Sequence, residues 1–226
     1  MNQSNSQIVS KVINSYRLLT KDGHISRRYI LKLLRDFSKN LLSKKLMDRT
    51  LALESNLYTK LECLEFEKVE MVKCPIIEFR MCRTLMKSKC KLPDPIFSRL
   101  GASITEIVSL DGMFELKLIS AEQYRRNQKR KYSIDGEVYI YLAEDGHLYI
   151  PDEEIYSLNV TFMTLFPEEA DECSECKKDN CKSGWDYPFI GSDKLDDVVF
   201  KEVLQILGST YKATQEDQNQ NGIEGN

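Results

Sequence analysis

Glu137–Phe166 reads E-V-Y-I-Y-L-A-E-D-G-H-L-Y-I-P-D-E-E-I-Y-S-L-N-V-T-F-M-T-L-F, tyrosine- and isoleucine-rich runs separated by Asp145-Gly146 and by Pro151-Asp152. An Asp-Gly pair tolerates the positive φ that a tight hairpin requires, so the block is expected to form an antiparallel meander. In its last run Tyr156, Leu158, Val160 and Phe162 alternate with polar partners, which predicts one buried face. Upstream, Ile104–Leu110 and Met113–Leu118 flank Asp111-Gly112, a second hairpin signal. Leu61–Val72 alternates imperfectly, as a strand with a bulge would. Lys91-Leu92-Pro93-Asp94-Pro95 is a rigid connector that cannot be a central strand. Ser120 and Gln123 have capping-box spacing and open a short helix near 120–128.

Helical periodicity lies on either side of this β-rich region. Ile8, Val9, Val12, Ile13, Tyr16 and Leu19 form one stripe, with Ser4, Asn5 or Ser6 available as N-cap, and Lys21-Asp22-Gly23 breaks it. A longer helix starts near Ser26 with Ile30, Leu33, Leu34, Phe37 and Leu41 on one side. Beyond Leu42 the apolar residues Leu46, Met47 and Leu51 rotate to another side, so the helix either breaks near Ser43 or makes contacts on two faces. A last helix from about Asp193 to Leu207 places Leu195, Val198, Val199, Val203, Ile206 and Leu207 at core spacing, with Gly208 where a left-handed cap is expected. The sequence therefore predicts an α+β fold with N-terminal helices, a central antiparallel β-sheet, a C-terminal helix and a disordered polar tail. The expected divisions are a helical region 1–55, a mainly β region 56–190, a helix 191–212 and a flexible tail 213–226.

With 226 residues and a net charge of −3, the chain can bury a sizeable core and carries no global positive field toward nucleic acid or membrane. No run approaches the roughly 20 apolar residues needed to span a bilayer. The start M-N-Q-S-N-S-Q lacks the features of a secretory signal, so the seven cysteines are expected to be thiols or metal ligands rather than disulfides. Cys173-x-x-Cys176-x4-Cys181 has metal-ligand character, and these are the candidate metal residues; a structural zinc would need a fourth ligand, His147 or Cys90, to arrive through the fold. The other reading is a loop of reduced thiols, and no cofactor is required. Asp217, Asn219 and Asn221 with Gly222 resemble the opening of a calcium loop, but its twelfth-position Glu would fall beyond Asn226, so a polar tail is the better reading. Two basic runs, Arg125-Arg126 with Lys129-Arg130-Lys131 and Arg80 through Lys91, read as solvated faces or as surfaces meeting acidic patches on neighbours. The two histidines, His24 and His147, join no G-x-S-x-G, H-E-x-x-H or P-loop motif, so no catalytic residues are assigned and the protein is expected not to be an enzyme.

Several phrases in fixed order carry a family resemblance. They are R-R-Y-I-L, C-P-I-I-E-F-R-M-C-R, K-C-K-L-P, H-L-Y-I-P-D, the Cys173–Cys181 loop, W-D-Y-P-F and the D-Q-N-Q-N tail. Together they resemble virion structural proteins of crAss-like bacteriophages. The resemblance implies a ring protein of the head-to-tail connector, stacked beneath the portal and forming a homo-oligomer of twelve-fold symmetry. Its expected partners are further copies of itself, the portal protein and other connector or tail rings, with DNA only in transit and no membrane. The expected location is the virion neck or tail, after assembly in the host cytoplasm. On that reading Leu46, Met47 and Leu51 serve subunit packing, Asp217, Asn219 and Asn221 lie in a tail that orders on docking, and the sheet offers an edge to a neighbour. The rival reading is a small zinc-stabilised nucleic-acid-binding or regulatory protein.

Overall fold

A computed structural model describes residues 3–20, 25–48, 57–69, 84–99, 101–120, 122–123, 126, 138–151, 153–174, 176, 182–189 and 197–209. The fold is α+β, and the chain forms two compact units, Met1–Leu57 with Lys182–Asn226, and Tyr58–Cys181.

The first unit is helical. Helix α1 (Asn5–Leu19) begins at Ser4, whose hydroxyl accepts from the Gln7 amide while the Gln7 side chain accepts from the Ser4 amide. That reciprocal box satisfies donors that have no partner inside the helix. The W-D-Y-P-F phrase satisfies two more. Asn5 N–H donates to the Tyr187 carbonyl at 2.9 Å and Ser6 N–H to the Trp185 carbonyl at 3.0 Å, and Phe189 N–H closes the strap on the Gln3 carbonyl at 2.8 Å. The Arg27 guanidinium lies over the Trp185 ring at 5.2 Å and donates to Ser6 Oγ.

Helix α2 (Arg27–Met47) is continuous through Ser43, so the break considered there does not occur. Its fully buried positions, Ile30, Leu34, Ser38 and Leu42, recur every four residues, and Leu33, Phe37 and Leu41 beside them are only half-buried. Ile8, Val9 and Val12 of α1 and Val199, Val203 and Leu207 of helix α4 (197–209) pack with Ile30 and Leu34 into one core. Two expectations for α4 are corrected. Val198 is 45% exposed, because the buried stripe runs through its neighbour Val199. Gly208 lies inside the helix, which continues through residue 209, rather than in a left-handed cap.

The second unit is a seven-stranded sheet in the order β5-β9-β1-β2-β8-β7-β6. Its strands are β1 (Thr59–Lys68), β2 (Leu85–Ser88), β5 (Ile104–Ser109), β6 (Leu116–Leu118), β7 (Val138–Leu142), β8 (Leu148–Pro151) and β9 (Ser157–Phe162). A separate small pair is formed by β3 (Phe97–Ser98) and β4 (Gly101–Ala102). The end strands β5 and β6 are themselves neighbours, bridged at Val108 and Glu115, so the sheet closes on itself. Every strand of the seven contributes to the enclosed core, among them Leu64, Met86, Ile107, Leu116, Ile140, Ile150 and Val160. A short helix α3 (Pro167–Glu172) follows and adds Ala170 to it.

Both Asp-Gly turns form as the sequence predicts. Gly146 (φ +80°) donates to the Ala143 carbonyl and Gly112 (φ +69°) to the Ser109 carbonyl, each in the left-handed region that glycine enters without strain. The meander, however, stops after two strands. β7 and β8 pair, but β9 leaves them and inserts between β1 and β5. Pro151, which has no N–H to extend a ladder, ends β8 where the chain departs. The sheet is not wholly antiparallel either, since β6 runs parallel to β7. The bulge expected in β1 is present: pairing with β9 shifts register between Leu61 and Leu64, and Cys63 takes φ +55°.

Burial of Leu158 between two paired neighbours predicts that Leu158→Ala destabilises the sheet unit by about 2–5 kcal/mol, whereas Ser4→Ala, which removes a cap, costs about 1 kcal/mol. Denaturant unfolding of the two variants checks the ranking.

Candidate functional site

The β7–β8 hairpin positions the polar cluster around His147. His147 N–H donates to Asp145 Oδ1 at 3.0 Å, and the Tyr149 hydroxyl donates to Asp145 Oδ2 at 2.7 Å. Lys87 Nζ approaches the same carboxylate at 3.6 Å and lies 5.7 Å from the Tyr149 ring. His147 Nδ1 faces the Ser88 carbonyl at 2.8 Å, and Ser88 Oγ is 3.3 Å away and also accepts from the Leu148 amide. Burial pushes the Asp145 carboxyl up, but the His147 amide, the Tyr149 hydroxyl and the electrostatic influence of His147 and Lys87 together hold it below its ordinary value. The cluster joins β2 to β8. It holds the hairpin in place, and the Ser88 hydroxyl beside His147 donates to the Cys90 carbonyl at 2.8 Å.

The cysteines depart from expectation. Cys173 is bonded to Cys90 and Cys176 to Cys63, with Cα–Cα distances of 5.7 Å in both pairs, within the range a disulfide needs. The expectation of thiols is thereby corrected for these four residues. Partners 83 and 113 positions apart in sequence meet only because β1, β2 and α3 adjoin, which local spacing cannot reveal. With the sulfurs paired, no group of three or more His, Cys, Asp and Glu side chains among the described residues is arranged to hold a metal ion. Cys181 lies outside the described residues. Cys63 was missed in the sequence, although the broken alternation of β1 marked its position.

Beside Cys90 and Cys173 runs a groove of about 780 Å³. Asp94, Glu144, Asp145, Glu169 and Glu172 line it together with the cation Lys91, and Pro93, Pro95, Phe97 and Leu142 are among its apolar lining. A second groove, of about 480 Å³, opens where β5 and β6 part beyond their bridge. The sheet edge expected for a neighbour is thus reduced to this short seam. Of the basic runs, Lys87 is half-buried against Asp145, while the exposed Lys89 and Arg126 pair with Glu65 and Glu122. Arg80, Arg83, Arg125 and 129–131 lie outside the described residues. On α2, Leu46 is half-buried and Met47 is 54% exposed; Leu51, Asp217, Asn219 and Asn221 lie outside the described residues. Among the described residues no helix is long and apolar enough to cross a membrane.

The chain belongs to the phage tail ring protein 2 family, a crAss ring family, whose model it matches over residues 7–224. It is a structural component of a phage tail ring. No curated protein matches the chain.

The Asp145 network yields a pH-dependent prediction. A carboxyl held low in the folded state contributes stability above its unfolded pKa of about 4, and that contribution is lost as pH falls through the folded value. Asp145→Asn should lower the melting temperature at pH 7 by about 2–4 °C, the shift that ~1 kcal/mol produces in a chain of this size. The gap from wild type should close below about pH 4, as thermal scans across pH would show.

Proposed function

We propose that this tail ring component closes into a homo-oligomeric ring of twelve-fold symmetry in the head-to-tail connector, beneath the portal, and helps build the conduit through which DNA leaves the capsid. The family match over residues 7–224 carries this reading. Partners are the portal and adjoining connector or tail rings, and assembly takes place in the host cytoplasm. The role is structural and needs no catalytic group.

Two features support the subunit contacts. The first is the half-buried side of α2. Leu33, Phe37 and Leu41 are incompletely covered, Leu46 is half-buried and Met47 is largely exposed, so Leu46, Met47 and Leu51 would pack against the next subunit. Head-to-tail contact of this kind closes into a ring when the rotation between copies closes. The second is charge. The acidic groove beside Cys173 complements the basic run of Arg125-Arg126 and Lys129-Arg130-Lys131, and complementary patches fix register between copies. Residues 214–226, with Asp217, Asn219 and Asn221, would reach a neighbouring ring, where backbone pairing supplies affinity to a polar segment.

Light scattering of the purified chain, alone and mixed with its portal, is expected to give a closed oligomer. Met47→Asp with Leu46→Asp should reduce it to monomer with an unchanged circular dichroism spectrum. A wild-type chain that stays monomeric in both mixtures overturns the proposal. Deletion of the last thirteen residues should leave the ring intact and abolish docking between rings.

A further inference from the structure

Four cysteines of the sheet unit form two pairs, Cys63 with Cys176 and Cys90 with Cys173, and each pair ties the segment after α3 to the region of β1 and β2. Cys63 occupies the bulge of β1, where its φ of +55° takes it out of the alternation that would otherwise set its direction. Its amide is held by Asn159 Oδ1 at 3.1 Å, so the bulge is fixed on the side of β9. A non-glycine residue in the left-handed region costs of order 1–3 kcal/mol and persists where the surroundings impose it, commonly at ligand clamps. Cys90 follows β2, and the Lys89 amide donates to the Glu65 carbonyl, which sets the chain at Cys90 alongside β1. Cys173 caps the C-terminus of α3, and Cys176 lies three residues further along the chain.

Ser174 lies between these last two cysteines. It is 1% exposed, and its hydroxyl has no hydrogen-bond partner among the described residues. A buried hydroxyl without a partner costs about 1–3 kcal/mol, and a donor at that place suits a neighbouring thiolate. Disulfide sulfur is a poor acceptor and offers the hydroxyl little. Disulfides are also rare in reducing compartments.

We propose that Cys63, Cys90, Cys173 and Cys176 form a tetrathiolate zinc site when reduced, and that the two disulfides are the oxidised form of the same site. Tetrahedral sulfur ligation needs four cysteines, at least two of them closely spaced in sequence, and Cys173-x-x-Cys176 supplies that knuckle while β1 and β2 supply the other half. The chemistry balances in two steps. Four equivalents of a small-molecule thiol reduce the two disulfides to four cysteine thiols and leave two small-molecule disulfides. Zinc ion then displaces four protons to give a four-sulfur complex of net charge −2. Ser174 would donate to one of the thiolates. The site would clamp the 173–176 segment to the sheet without an oxidant. This inference rests on the cytoplasmic assembly proposed above, and it differs from the ligand set suggested by sequence spacing because Cys63 takes the place of Cys181, with Cys90 rather than His147 as the remaining ligand.

The test is elemental analysis and native mass spectrometry of the full chain, expressed in a reducing bacterial cytoplasm and purified with a phosphine reductant and no chelator. The expected result is one zinc per chain, kept in Cys181→Ser and lost in Cys63→Ser and in Cys90→Ser. Because those two variants can also lose the fold, cobalt(II) is added to wild-type chain stripped of zinc; the visible bands of tetrahedral sulfur-bound cobalt should appear at one equivalent. A metal-free chain overturns the proposal, whether its mass corresponds to four free thiols or is lighter by the four hydrogens of two disulfides. Zinc retained in Cys63→Ser but lost in Cys181→Ser overturns it as well. Light scattering on the same sample reads the ring separately, so a zinc-free ring refutes this inference alone.

Discussion

The sheet unit depends on one strand having neighbours on both edges. β9 pairs with β1 on one side and β5 on the other, and its inward residues Leu158, Val160 and Phe162 are completely buried. That placement ties together segments from near both ends of the unit and obliges the sheet to curl until β5 reaches β6. Curling has a local consequence on β1, which accommodates β9 only with an extra residue, and the extra residue is Cys63 in a left-handed backbone. The feature that makes closure feasible therefore also aims a sulfur at the segment after α3.

The helical unit depends on a comparable device at smaller scale. α1 would leave its first amides without acceptors, and the strap 182–189 returns from far along the chain to supply carbonyls for them. The same strap brings Trp185 under Arg27 and Phe189 into the core with Ile8 and Val12. A single turn of backbone thus satisfies a helix end and contributes to the apolar packing that holds α1, α2 and α4.

Much of this was legible in the sequence because it is encoded locally. Stripes at helical spacing located α1 and α2, Asp145-Gly146 and Asp111-Gly112 located both turns, and the Ser120–Gln123 box forms with both of its hydrogen bonds. The bulge in β1 was visible as broken alternation. What was not legible is nonlocal. Nothing in Ser157–Phe162 says that its partners are β1 and β5 rather than the preceding β8, because alternation sets the buried face and leaves the neighbours open. The parallel partner of β6 and the cysteine pairings were hidden for the same reason. Val198 was misplaced because a stripe read one residue too wide still fits helical spacing.

Membership in the tail ring family and a helix with an incompletely covered side lead to one central claim, that this chain does its work as one subunit of a ring in the virion. An electron cryo-microscopy reconstruction of the intact phage neck and tail tests that most directly. The account predicts density for this fold, repeated around the tail axis, with α2 of each copy against the next and the ring seated below the portal. A complete neck and tail in which no density accepts the fold would contradict it.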